Sequence, residues 1–344
     1  MDEELKTELE KIVQAVEFLS EGGFVFAGRR SAELPLLAAA PTPGPNLLAV
    51  VAQLQQFLYA YCYIRRFAGE APVPNTLENP VDVELVEQLS RANTSRDCWE
   101  KGWKIYDFLQ TGQVLVEKHN MVRAVWSGEF VTHDIYGRAP QAGTQVSIFL
   151  PRESRTVQPG FYFALGETAA DQQDDYHIVR FYWNVDHAAA PAVVEAVTRE
   201  FNRFEAPFRF KCPSHRAAYE RSDSAVLYVS QRLFRIAAEL VARITAALAD
   251  HLRETTPLFT KRISCGLAFA EDPGGHESFG QSRCRMLAQG LWNAHQRGAR
   301  DTDSRLEEVA QEFARNQISL DRPYLNAGSL SKYEFPQRLR AQSV

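Results

Sequence analysis

Apolar positions recur at helical spacing near the amino terminus. Leu5, Leu9, Ile12, Val16 and Leu19 follow one another until Gly22-Gly23 stop the run. A loop of prolines and small residues comes next (Pro35, Pro41, Pro43, Gly44, Pro45), and Asn46 is a candidate cap for a second helix carrying Leu47, Val50, Leu54, Phe57, Leu58 and Tyr61. After Pro72, Pro74 and Pro80 the amphipathic pattern resumes through Trp99, Trp103, Tyr106 and Leu109, so the first hundred or so residues read as helical.

The period changes at Thr111-Gly112. From there alternation predicts strands over Gln113–Lys118, Met121–Trp126, Phe130–Ile135, Gln145–Leu150, Gly160–Gly166 and Tyr176–Val185, with hairpin turns at His119-Asn120 and Ser127-Gly128. Beyond, helices over Val193–Phe204 and Leu233–His251 alternate with extended Pro207–Cys212, Ala225–Val229 and Ser264–Ala270. A helix of about twenty residues ends near His295, and residues after Leu320 read as irregular. The expected class is α+β: a helical subdomain over 1–110, able to dock a peptide or a kinase, and a mostly antiparallel sheet packed with helices over 111–344.

Composition narrows the chemistry. A net charge of −5 over 344 residues gives the whole molecule no electrostatic pull toward nucleic acid or an anionic membrane. The basic residues are eight lysines and thirty arginines, with sixteen arginines between Arg180 and Arg305. Anion chemistry must therefore come from local arginine clusters, whose planar forks suit phosphate and carboxylate. Five scattered cysteines (Cys62, Cys98, Cys212, Cys265, Cys284) offer no disulfide framework and fit a reducing, cytoplasmic setting. Met1–Glu10 is acidic without an apolar run, so no secretory leader is expected, and no stretch of about 18 apolar residues predicts a membrane span. Metal-type spacings, GxGxxG, the phosphate-binding GxxxxGK[ST] loop, kinase catalytic-loop patterns and GxSxG are all missing, and neither a metal nor a cofactor is expected.

Three stretches remain. In Gly266–Arg285 a strand runs through a glycine turn into a helix with Ser278 as candidate cap, flanked by His276 and Arg283, and such a helix mouth suits an anion. In Phe208-Arg209-Phe210-Lys211-Cys212, alternation sends Arg209 and Lys211 to one side, and Tyr219-x-Arg221-x-Asp223 follows with Asp223 placed to orient Arg221. Arg180-Phe181-Tyr182-Trp183-Asn184 presents Arg180, Tyr182 and Asn184 on one face. For each, a solvated face or surface ion pair is the plain structural alternative.

In these residues the chain resembles the HopA-like family, named after a type III effector of plant pathogens, which also supplies the lyase component of class V lanthipeptide synthetases and related thioamide-peptide pathways. The resemblance rests on the Arg180–Asn184 strand, Pro207-Phe208 and Lys211, Tyr219-x-Arg221-x-Asp223 leading to Ala225–Tyr228, Glu271-Asp272-Pro273 with Glu277–Gly280 and Arg283-Cys284-Arg285, and Arg322–Asn326, together spanning roughly Gly112 to Ser329. It implies a cofactor-free β-elimination of phosphate from phosphoserine or phosphothreonine in a precursor peptide. A separate Ser/Thr kinase would add the phosphate, and a cyclase could act afterwards.

That reaction needs a base for the α-proton, donors for the phosphate and an acid for its departure. Lys211 is the expected base, His276 the leading acid, with His215 and Tyr219 as substitutes. Arg180, Arg221, Arg262 and Arg283 are the phosphate-binding candidates, with Asn184, Tyr182 and Asp223 orienting them. Lys211 is followed by Cys212-Pro213 where the better-known phosphothreonine lyases carry Lys-x-His, so base and acid must come from different segments. Two other readings stay open: a phosphopeptide-binding or effector protein without chemistry, and a structural subunit of a kinase complex.

Overall fold

The structure, a computed structural model, describes residues 2–20, 22–33, 49–70, 82–134, 137–275, 277–330 and 333–340. Asn46, both proline-rich stretches, Ile135 and His276 lie outside the described residues.

Helix α1 (Glu3–Ala15) starts at Asp2, whose carboxylate accepts from the Glu4 amide, and buries Leu9, Ile12 and Val13. Three short strands follow, β1 (Val16–Phe18), β2 (Phe24–Phe26) and β3 (Arg29–Arg30), in an antiparallel sheet that replaces the helical reading of Val16 and Leu19. Helix α2 (Ala49–Leu58) continues into a π-turn over Tyr59–Tyr63, and α3 (Val83–Ala92) is capped by Asp82. The strand β4 (Cys98–Phe108) is a second correction: Trp99, Trp103 and Tyr106 lie on a strand, not a helix. Bulges between Glu100 and Trp103 and between Ile105 and Asp107 break the alternation, which is why its aromatics fall at helix-like spacing.

With β5 (Val114–Lys118), β6 (Met121–Val125), β7 (Phe130–Thr132) and β8 (Gln145–Leu150), β4 forms an antiparallel sheet of order β6-β5-β4-β8-β7. His119-Asn120 makes the expected β5–β6 hairpin, with His119 at φ 54°. The Ser127-Gly128 turn instead joins the two edge strands β6 and β7. Val125 and Phe130 can stand at most about 18 Å apart, so this sheet is rolled toward a barrel. Trp103, Ile105, Val114, Val116, Val146 and Ile148 fill its interior.

The remaining strands build the central sheet. They are β9 (Glu153–Ser154), β10 (Phe161–Leu165), β11 (Ile178–Trp183), β12 (Arg209–Pro213), β13 (Ala225–Ser230), β14 (Lys261–Ser264) and β15 (Leu267–Glu271), in the order β14-β15-β11-β13-β12-β10-β9, all antiparallel. The expected single strand over Ser264–Ala270 is thus the turn and second arm of a hairpin. Gly266 has φ +61°, and a Cβ there would lie 2.4 Å from the Arg253 carbonyl oxygen, so only glycine fits.

Helices α4 (Ala190–Arg203) and α5 (Phe234–Ala247) cover one face of this sheet, burying Phe181, Phe210, Leu227 and Phe269. Each such side chain contributes roughly 1.5–3 kcal/mol. On the other face Tyr182, Val226, Ala268 and Ala270 join a core with α2, with α6 (Phe279–Gln296) and with α7 (Thr302–Arg315), a helix the sequence reading missed. A last short helix, α8 (Gln337–Arg340), ends the described chain. The α+β class holds, and among the described residues no helix is long and apolar enough to cross a membrane.

Candidate functional site

A cleft of about 860 Å³ opens where the second face of the central sheet meets the mouth of the rolled sheet. Strand alternation supplies its cations. On β12, Phe210 and Cys212 point into the core beside α4 and α5, leaving Arg209 and Lys211 on the cleft side. Register does the rest. Arg209 lies opposite Tyr228 of β13, which lies opposite Arg180 of β11, while Lys211 lies opposite Phe163 and Val226. The Tyr228 ring therefore meets Arg180 at 5.0 Å, Lys211 at 5.8 Å and Arg209 at 6.0 Å. The Phe161 ring meets Lys211 at 4.6 Å and Arg221 at 5.3 Å. Two aromatic faces thus hold four cations together.

The arginines are anchored, and the lysine is not. Arg180 Nε donates to Asp272 at 2.6 Å, and Asp272 also accepts from the Gly274 amide at 2.9 Å. Burial works against the Arg180 charge, but the oxygens of Tyr228, Tyr182 and Asp272 outweigh it and hold its pKa well above the usual arginine value. Arg221 grips both carboxylate oxygens of Asp223, and its Nη2 donates to the Tyr59 hydroxyl at 3.2 Å. Burial opposes that charge too, and Asp223 more than compensates, so its pKa is raised. Arg209 stands 3.5 Å from Asp175. Lys211 Nζ donates to Gln158 Oε1 at 3.1 Å and has no carboxylate partner among the described residues.

Other predicted residues lie elsewhere. Arg283 is fully buried in α6. Its guanidinium donates to the carbonyls of Pro323 (2.7 Å) and Leu325 (2.8 Å) and to Asn326 Oδ1 (3.2 Å). Burial pushes its pKa down to about 10, which still leaves it charged at neutral pH. It is a clamp on the Arg322–Asn326 segment, not a wall of the cleft. Arg262 sits on the edge strand β14, facing Glu4 at 3.7 Å and Glu254 at 3.4 Å. Tyr219 is buried and donates its hydroxyl to the Pro213 carbonyl at 2.9 Å, and His215 Nδ1 accepts from the Ala217 amide at 3.2 Å, closing a turn. Asn184 donates to the Thr255 carbonyl and hydroxyl, and Tyr182 is buried under the sheet.

Arg209, Tyr228, Phe161, Arg123 and Tyr59 adjoin the site without having been singled out. The alternation that selected Lys211 also marks Arg209. Tyr59 arrives from a distant helix and carries no local signal. The Arg322–Asn326 segment matters indirectly: Asn326 Nδ2 donates to the Asp272 carbonyl at 2.6 Å, and Glu271 accepts from the Asn326 amide at 2.7 Å. Through Asp272, that segment fixes Arg180.

Fold and cleft together define an α+β protein with a cation-lined cleft built on one sheet face. The chain belongs to the HopA1 effector protein family, whose model matches residues 152–325. That span holds β9–β15, and with them Arg180, Arg209, Lys211 and Arg221. Among solved structures, the chain is similar to an effector protein from Pseudomonas syringae pv. tomato strain DC3000, at 17% identity and TM-score 0.44, covering 84% of this chain and 93% of that one. A second, from Pseudomonas syringae pv. syringae strain 61, is 14% identical with TM-score 0.43, covering 79% and 88%. No curated protein matches the chain.

Proposed function

We propose that the cleft receives a phosphoserine or phosphothreonine side chain of a peptide and eliminates its phosphate, leaving dehydroalanine or dehydrobutyrine. The observation that carries this reading is Lys211: an amine without a carboxylate partner among the described residues, packed against Phe161 and Tyr228 amid three arginines. In the reaction Lys211 takes the Cα proton, the C–H electron pair becomes the new double bond, and the Cβ–O bond breaks with its electrons on the phosphate. Arg180 and Arg221 use Nε and Nη2 for their carboxylates, so each keeps its Nη1 for the leaving oxygens. Fixed donors of this kind need no reorganisation as charge develops.

The substrate would be a precursor peptide phosphorylated by a separate kinase, in lanthipeptide-type biosynthesis, with a cyclase as a later partner. Incubated with a phosphopeptide, the protein should release inorganic phosphate and leave a dehydrated peptide by mass, and Lys211→Ala should abolish both. Tight phosphopeptide binding without phosphate release would replace the lyase with a binding protein. Neither binding nor release, with the cognate kinase present, would end the proposal.

A further inference from the structure

Elimination from a phosphate monoester dianion expels a trianionic phosphate, a strongly basic leaving group, unless a proton reaches the bridging oxygen as the bond breaks. An acid is therefore required beside the arginines. His215 is committed to a turn and Tyr219 to the Pro213 carbonyl. Tyr59 is not so committed. Its oxygen accepts from Arg221 Nη2, so its own O–H proton is directed elsewhere, and the residue lines the cleft with Lys211. From this geometry we infer that Tyr59 is the general acid that protonates the departing phosphate, so that the amino-terminal helical part completes the active site.

The placement of Tyr59 is built, not incidental. It opens a π-turn, a rare helical irregularity that gathers at functional sites. Tyr59 and Tyr63 stack at 5.3 Å, and Tyr63 presses on Gly280 of α6, where an added Cβ would lie 2.3 Å from the ring. The Ile64 carbonyl accepts from the Ser222 amide at 2.7 Å, fastening the end of the turn to the segment that carries Arg221 and Asp223. Burial pushes the Tyr59 phenol up to about 12, with Arg221 pulling the other way. The group is therefore protonated at neutral pH, and the same guanidinium stabilises the phenolate formed when the proton leaves.

The step balances. Lys211 gains the Cα proton, Tyr59 loses its phenolic proton to the bridging oxygen, and hydrogen phosphate departs. Solvent then carries a proton from the Lys211 ammonium to the phenolate. The family match begins at residue 152 and does not contain Tyr59.

This inference rests on the lyase reading, and the experiment separates the two. The full chain and Tyr59→Phe are compared on a phosphoserine peptide and on the same peptide carrying O-sulfoserine, whose sulfate leaves without a proton. Folding is checked by Tm. Tyr59→Phe should lower kcat on phosphoserine by about 10²-fold or more with KM little changed, and should cost far less on sulfoserine. Replacing Tyr59 by a difluorinated tyrosine, a stronger acid, should move the alkaline limb of kcat to lower pH, and this arm decides if sulfoserine proves a poor substrate. Equal losses on both peptides, or an alkaline limb that does not move, would overturn the role of Tyr59. Full activity of Tyr59→Phe would remove the acid and leave the lyase intact, whereas an inactive wild type would remove both.

Discussion

Arg283 and Lys211 show how far residue type alone reaches. Both are cations in motifs that a phosphate reader would select, yet one holds a segment of backbone in the core and the other faces the cleft. Arg283→Met keeps much of the volume but strands the buried carbonyls of Pro323 and Leu325. It should cost roughly 2–4 kcal/mol in chemical denaturation. Through Asn326 and Asp272 it should also loosen Arg180, so under the proposed function affinity for a phosphopeptide should fall together with stability. A variant as stable as wild type would mean that the clamp does not stabilise the fold. Alternation sends Lys211 and Arg180 each to one face of its own strand, and Arg209 with Lys211, because a strand alternates strictly. It could not separate Arg283 from these, since the groups that capture it lie some forty positions away.

Elements were legible where a single period ran uninterrupted. The strand Gln145–Leu150 and the capped start of α6 match their expected positions, because Ser278 and Gln281 form a reciprocal capping box that is written locally. Two bulges reset the phase of β4 and hide its alternation, and α7 has a local start signal in its Asp301 cap. What places α7 is contact, not local pattern: a Cβ on Gly290 of α6 would lie 2.6 Å from the Val309 Cα of α7. Gly290→Ala should therefore destabilise the protein by roughly 1–3 kcal/mol despite its better helix propensity, because backbone cannot step aside as a side chain can. A denaturation midpoint equal to or above the wild type's would show that the two helices have room to part.

For the whole molecule, the cleft lies where the rolled sheet stands over the cationic half of the central sheet, and Asp174 fastens one turn of its wall to that central sheet. It lies in the short turn 172–176, lines the cleft, and accepts from Ser230 at the end of β13 (2.8 Å) and from Arg232 (2.6 and 2.7 Å). Burial alone would raise its pKa, but the Arg232 and Ser230 hydrogen bonds prevail and hold it below the ordinary aspartate value. A depressed carboxylate stabilises the fold fully above its unfolded pKa of about 3.9 and loses that contribution as pH falls through the lower folded value. Asp174→Asn should therefore lower Tm at neutral pH. The gap to wild type should persist down to about pH 4 and close below it as the native carboxylate takes up its proton. A gap that stays constant through the acid range would mean that the Asp174 charge does not tie the turn to the sheet.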